Sequence, residues 1–398
     1  MTTQQQFPGL HWVWKGAISF VYEVHPRIVV KVPKSGEFER EQFGKELKIY
    51  EMFSRHPPCP SVVQCFFYTD NGIFLEYMRG ATLIRADSLC LLTASLDVSL
   101  CCRIQNNHIR DQQTSVVTKV EKLEPLPLRK EWMNDLAQAV AFLESLNLAH
   151  GDLRPENILL DRDRLKVSDF DCTAEIGTDF EACMAPYGRI LNSDELDQGQ
   201  RGSSGFLGPR TEQFALGSLF YLINYGFEVY GDRCLTENPN EHGRKVVDLL
   251  QNMEFPKLDR DPLIDNIINR CWHNNYATIA ELAAYTDTLL PGKTIRRETK
   301  AETKSVPEWR MGGLWNSFRS WWALVLYRTS EATNPEVAND RQPDDYSHDT
   351  GQNRSAEDFS SKKAFCQNLE KRGLLHMLSL GEPEQLGFTT EWYRHSMS

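Results

Sequence analysis

The chain has 398 residues, 41% of them hydrophobic and 25% charged, with a formal net charge of −11. That composition suits a soluble globular protein with room for two lobes of roughly 100 to 150 residues and a tail. The acidic balance argues against a general nucleic-acid binder, which would need a basic face. The start lacks a basic-then-apolar leader and no 18-residue uncharged apolar run occurs, so neither a signal peptide nor a membrane span is expected. The ten cysteines show no CxxC pair and no zinc-ligand spacing. They read as buried thiols of a reducing compartment, cytoplasmic or nuclear.

In chain order, Phe20, Tyr22 and Val24 alternate and Ile28 to Val32 is β-branched, so residues 12–32 read as strands. Residues 37–55 are charged, with Phe43, Leu47 and Tyr50 at helical spacing. Two further strand-like runs, Val62 to Tyr68 and Gly72 to Tyr77, flank an Asp70-Asn71-Gly72 turn. The first 80 residues therefore read β-β-α-β-β. From Arg129, the stripe Trp132, Leu136, Val140 and Leu143 predicts a packed helix to about Asn147. Short strands and turns follow from His150 to Asp169, then an apolar central helix over Phe214 to Tyr230. A helical pair over Pro262 to Trp272 and Thr278 to Leu289 closes the compact part.

Two stretches do not fit a compact domain. Residues 85–120 hold no lasting period, and a loop that long without regular structure is uncommon. They read as an irregular surface insert, functional or translated from non-coding sequence, from which 86–104 could be deleted without loss of folding. Residues 291–398 have the composition of an extended or disordered tail with short helical segments. An aromatic island near 314–327 suits contact with a membrane surface more than a span.

The strongest local signal is His150-Gly151-Asp152-Leu153-Arg154-Pro155-Glu156-Asn157-Ile158-Leu159-Leu160, followed by Ser168-Asp169-Phe170-Asp171. Read without context, it is an acidic turn beside two buried strands. As a whole it resembles the catalytic loop (H-R-D-x-K-x-x-N) and metal motif (D-F-G) of protein kinases, in a form like a group found in fungal genomes. The resemblance implies that Asp152 takes the proton of an acceptor hydroxyl and Arg154 balances charge on the moving phosphoryl group. It implies that Asn157 and Asp169 hold Mg2+ against the phosphates of ATP.

Lys31 lies inside the apolar run Ile28-Val29-Val30-Lys31-Val32, with Glu46 fifteen residues later. Taken alone it suits an edge strand. With the downstream loop, it resembles the strand lysine that contacts phosphates and pairs with a helix glutamate. Trp14, Gly16 and Ser19 stand at the three glycine positions of a G-x-G-x-x-G loop ending at Val21, so one glycine survives. Phe74 to Met78 resembles the inter-lobe hinge, which implies that the Glu76 carbonyl and Met78 amide face adenine, with Leu159 among the other cofactor contacts. Gly202 to Arg210 and Thr211 to Gly217 resemble the end of an activation segment and the start of the central helix, with Glu212 in the acidic place. The family's late glutamate–arginine pair becomes Arg210 and Ala277, and both change together.

The resemblance covers about residues 12–290. It implies an α+β, bilobal fold: a small β-rich lobe over 12–80, the 85–120 insert, and a mainly helical lobe over 121–290. The implied activity is ATP- and Mg2+-dependent phosphorylation of a protein, at Ser or Thr rather than Tyr because Arg154 follows Asp152 by two residues. Gly151 replaces the arginine that reads a phosphorylated activation loop, so no dependence on such phosphorylation is expected. Two alternatives remain at this stage. A pseudokinase would bind nucleotide as a scaffold, as the eroded glycine loop and Asp171 suggest. A small-molecule phosphotransferase of the aminoglycoside or choline kinase type would share the H-G-D loop.

Overall fold

The computed structural model describes residues 3–78, 99–180, 184–192, 195, 198–291 and 350–388, with 3–4 and 350–356 described by backbone alone. The aromatic island at 314–327 lies outside them. The chain divides into two compact units, residues 1–295 with 374–398, and residues 296–373. Among the described residues no helix is long and apolar enough to cross a membrane.

A short helix α1 (Thr3–Gln6) leads into five antiparallel strands, β1 (His11–Lys15), β2 (Ser19–His25), β3 (Ile28–Pro33), β4 (Cys65–Thr69) and β5 (Gly72–Glu76), in the order β1-β2-β3-β5-β4. The alternation in sequence sets the two faces. Val21 pairs with Lys31 and Lys31 with Ile73, while Tyr22 pairs with Val30 and Val30 with Phe74. Lys31 is thus on a central strand, which settles why a charge stands in that apolar run. Helix α2 (Glu37–Phe53) buries Phe43, Glu46, Ile49 and Tyr50, one stripe at helical spacing.

The helical lobe is built around α4 (Leu126–Ser145), α5 (Pro209–Tyr225), α7 (Pro262–Trp272) and α8 (Ile279–Asp287), with α6 (His242–Gln251) between α5 and α7. Helix α5 starts at Pro209, earlier than its apolar run suggests, because proline suits the first helical turn. It stops at Gly226, whose left-handed φ of 81° caps the C-terminus, so Phe227 to Tyr230 pack as a loop. Between α4 and α5 lie β8 (Leu148–Ala149), a 3-10 turn (Pro155–Asn157), the hairpin β9 (Ile158–Asp161) and β10 (Arg164–Val167), and β11 (Ala174–Glu175), which pairs with β8. The α+β architecture is that of a small sheet lobe and a larger helical lobe.

The reading of 85–120 as an irregular surface insert is corrected from residue 99 onward. Ser99 caps α3 (Leu100–Gln105) by accepting from Cys102 N, and β6 (His108–Arg110) pairs with β7 (Val117–Val120). Leu100 and Ile104 belong to the main core. Two buried leucine- and isoleucine-sized residues in six are enough to dock a helix too short to stand alone. Residues 79–98 lie outside the described residues. The cysteine reading is also corrected in part. Every described cysteine is unbonded, but Cys102, Cys172 and Cys234 are exposed while Cys59, Cys271 and Cys366 are buried.

In the second unit α9 (Thr350–Lys371) is described. Beyond it, the segment of the expected tail from Leu374 to Phe388 folds into the first unit, with Leu374, Leu375, Leu378 and Phe388 buried. It contains α10 (Leu374–Leu378).

Replacing Leu100 by alanine is expected to cost about 2–5 kcal/mol in urea unfolding, the range for a fully buried leucine. A loss under about 0.5 kcal/mol, typical of surface substitutions, would return α3 to a dispensable insert.

Candidate active site

Strand β3 and helix α2 bring Lys31 and Glu46 together, with Nζ 2.6 Å from Oε2. The turn after β10 brings Asp169 to the same ammonium, with Oδ1 at 2.7 Å. Burial alone would push the Lys31 ammonium down, but the two carboxylates outweigh it and hold it above the usual lysine range. Lys31 in turn holds the Asp169 carboxyl below its usual range. Glu46 goes the other way, raised by burial against the opposing pull of Lys31. One cation therefore serves two carboxylates, and its pull prevails over burial at the more exposed one, Asp169.

Asp169 has a left-handed backbone, φ 64°, which an aspartate tolerates better than most residues. That geometry turns Phe170 inward, where its ring meets Tyr50, Phe53 and His150 at centroid distances of 5.5, 5.1 and 5.3 Å. The aromatic contacts tie α2 to the loop that carries the second group of site residues. There, Asn157 Nδ2 donates to Asp152 Oδ2 at 2.8 Å and to its carbonyl at 2.9 Å. Arg154 Nε stands 3.2 Å from the same Oδ2. Ser168 N and Oγ both donate to the Asn157 carbonyl, joining this loop to Asp169.

The loop itself hangs from two buried groups. Glu212, on the first turn of α5, accepts from His150 N at 2.9 Å and Gly151 N at 3.3 Å. His150 Nδ1 accepts from Asp152 N while Nε2 reaches the Ser168 carbonyl at 3.1 Å. A carbonyl can only accept, so the proton is on Nε2 and the ring is neutral. Burial pushes its pKa below the ordinary value, in the same sense.

The remaining expected site residues sit on the sheet. Gly16 and Ser19 close the β1–β2 hairpin, Gly16 N donating to the Ser19 carbonyl at 2.9 Å, and Val21 is directly across from Lys31. Glu76 ends β5, Met78 is buried just beyond it, and Leu159 is part-buried on β9. The Glu76 side chain takes a role the sequence reading missed. Lys166 on β10 donates to its carboxylate, and Arg164 stands 3.6 Å from it. The signal was present: Lys166 is another lysine in an apolar strand, Leu165-Lys166-Val167, and a charge there needs a partner.

A family model described as the protein kinase domain matches residues 16–277. The chain belongs to the protein kinase family. Similar curated proteins include probable serine/threonine-protein kinase gdt2 of Dictyostelium discoideum, 24% identical over 281 residues that make up 67% of this chain and 14% of that protein. Serine/threonine-protein kinase nekl-2 of Caenorhabditis elegans is 23% identical over 43% of this chain and 42% of its own length. Testis-specific serine/threonine-protein kinase 1 of Mus musculus is 26% identical over 35% and 42%. The kinase thus spans less than half the length of these relatives.

Three departures of this kinase from the family pattern have a physical account. Gly151 has φ 78°, and a Cβ there would meet the Cys172 carbonyl at 2.7 Å, so the backbone itself excludes the usual arginine. Asp171 is raised by burial and by Asp169 beside it, which moves this extra acid toward neutrality. Arg210, in place of the late glutamate, is buried and donates to the Ser204 carbonyl, its pKa pushed down to about 10 by burial. The anionic partner in that region is Glu195, which grips Arg189 through both carboxylate oxygens and offsets part of the charge on Arg210. The reversed charge at 210 thus stands beside the Arg189–Glu195 pair.

The neutral, doubly bonded His150 gives a pH prediction. Its folded pKa is depressed from 6.5, so its contribution is present above that value and lost as pH falls below it. Between about pH 7.5 and about pH 5 the wild-type melting temperature should drop more steeply than that of His150→Gln. Parallel profiles would contradict the assignment of a neutral buried ring.

Proposed function

We propose that this kinase uses Mg-ATP to phosphorylate a serine or threonine hydroxyl of a protein. The observation that carries the reading is the assembly of both halves of the site in one geometry: Lys31 between Glu46 and Asp169, and Asp152 fixed by Asn157. The residues fit a metal–nucleotide group. Asp169 spends one carboxylate oxygen on Lys31 and has a partly exposed side chain, and Asn157 spends its amide nitrogen on Asp152. One carboxylate, one amide oxygen and phosphate oxygens form the all-oxygen set magnesium prefers. When bound, the metal would neutralise phosphate charge and hold the transferring group in line.

The protein's own contributions follow from its geometry. Lys31 is charged across the working pH range and placed to meet phosphate oxygens. Asp152, oriented by Asn157, accepts the proton of the acceptor hydroxyl as it attacks. Arg154 sits beside Asp152 with a partly exposed side chain that can offset negative charge on the group in transit. Hinge residues Glu76 and Met78, with Val21 and Leu159 above and below, would take the adenine. The names of the similar kinases support the serine/threonine lean, as does Arg154. A second reading, nucleotide binding without turnover, is favoured by Asp171 and by the single glycine of the β1–β2 hairpin.

One experiment separates the two. With radiolabelled ATP and mixed protein acceptors, Asp152→Asn should cut turnover by about 10²–10⁴-fold, the usual worth of a positioned base, while keeping the Mg-ATP thermal shift. Asp169→Asn should lose that shift. A shift in the wild type without any turnover would replace the enzyme reading with the binding one, and no shift at all would overturn the nucleotide site.

A further inference from the structure

The face of the sheet opposite Lys31 carries the rows Tyr22–Val30–Phe74 and Phe20–Val32. All five residues are buried, yet none belongs to the main core that contains Phe170 and Trp132. Burial of that apolar face requires a cover, because one sheet face must pack on something. The cover is, in part, the chain's C-terminal segment. Phe388 sets its ring 5.4 Å from that of Tyr22. Leu375 lies so close to Gly72 that a Cβ there would come within 2.5 Å of Leu375 Cδ2. Glu382 Oε2 takes a 3.0 Å hydrogen bond from Lys15 Nζ. The segment is amphipathic in the sense this requires, with Leu374, Leu375, Leu378 and Phe388 buried and Glu382 and Glu384 charged.

The points of contact matter more than the area. Lys15 immediately precedes Gly16, and Tyr22 immediately follows Val21, so the segment grips both arms of the hairpin whose tip would lie over the phosphates. Gly72 opens β5, three strands across, which gives the grip an anchor on the sheet's far side. The hairpin tip has one glycine and no left-handed residue; its position is fixed by what holds its arms.

We propose that residues 374–388 are an intramolecular clamp, docked on the far face of the sheet, that positions the β1–β2 hairpin for nucleotide binding. The occupant of this surface is the kinase's own C-terminal segment, and nucleotide affinity is set in part by whether it is seated. The proposal rests on the nucleotide-site reading only for that last consequence; docking itself can be tested without ATP.

In the full chain, Leu375→Asp combined with Phe388→Asp should unseat the segment. Hydrogen exchange in β1 and β2 should then speed up while the α5 core stays protected, and Mg-ATP should bind about tenfold or more weakly because an ordering cost returns to the ligand. A synthetic peptide of residues 372–388 added in trans should slow the exchange again. Unchanged exchange in β1 and β2 of the folded variant would overturn the clamp, whatever happens to ATP. Faster exchange with unchanged affinity would overturn the link to nucleotide, and absence of ATP binding in the wild type would strike at the proposed function instead. Should the double variant not fold, the exposed pair decides: Glu382→Lys should speed exchange at the hairpin and added Lys15→Glu should reverse it, whereas no change in either would overturn the proposal. Light scattering of the wild type should report a monomer; a dimer with the same protection would place the segment on a second copy and overturn the intramolecular assignment.

Discussion

A lysine ammonium inside an apolar sheet is the constraint on which the rest of this kinase depends. Lys31 is on a central strand with buried neighbours on both sides, where an unpaired charge would be expensive. Its two partners come from places far apart in the chain, Glu46 from α2 and Asp169 from the turn after β10. Satisfying the cation therefore fixes α2 against the sheet and the Asp169 turn against both. Phe170, next to Asp169, is driven into the aromatic cluster of Tyr50, Phe53 and His150 by the same placement. The pairing and the packing agree, which is what makes one arrangement of the site stable rather than several.

The parts legible in the sequence are those whose causes are local. The Asp70–Asn71 turn, the stripe on α2, the start and end of α7 and the spacing within the His150–Asn157 loop each follow from residues within a few positions of one another. The parts that were not legible depend on partners distant in sequence. Leu100 and Ile104 form too short a pattern to announce a helix, and the core they enter is assembled elsewhere. Glu76 meets Lys166 across 90 positions, and Lys15 meets Glu382 across 367. A tail of mixed composition gives no sign that Leu375 and Phe388 have a sheet face waiting for them.

The divergence of this kinase is orderly in physical terms. Gly151 is not simply a missing arginine, since the left-handed backbone and the Cys172 carbonyl leave no room for a side chain. The inverted charge at Arg210 is offset in part by Glu195 from the loop before α5, and buried guanidinium groups there gain carbonyl and carboxylate acceptors. Where the glycine loop has lost two glycines, both arms of the hairpin have gained contacts from the C-terminal segment. At Arg210 and at the β1–β2 hairpin, the lost family feature stands beside a new interaction in the same neighbourhood.

The central claim is that Lys31, Glu46 and Asp169 form one electrostatically coupled unit, and urea unfolding of two variants without nucleotide tests it most directly. Lys31→Met alone strands two carboxylates and should cost roughly 2–4 kcal/mol, toward the low end for a broken buried pair because Asp169 is partly exposed. The triple variant Lys31→Met, Glu46→Gln, Asp169→Asn removes every charge and should recover most of that loss. A triple variant as unstable as the single one, or more so, would mean that the three residues act separately and would contradict the account.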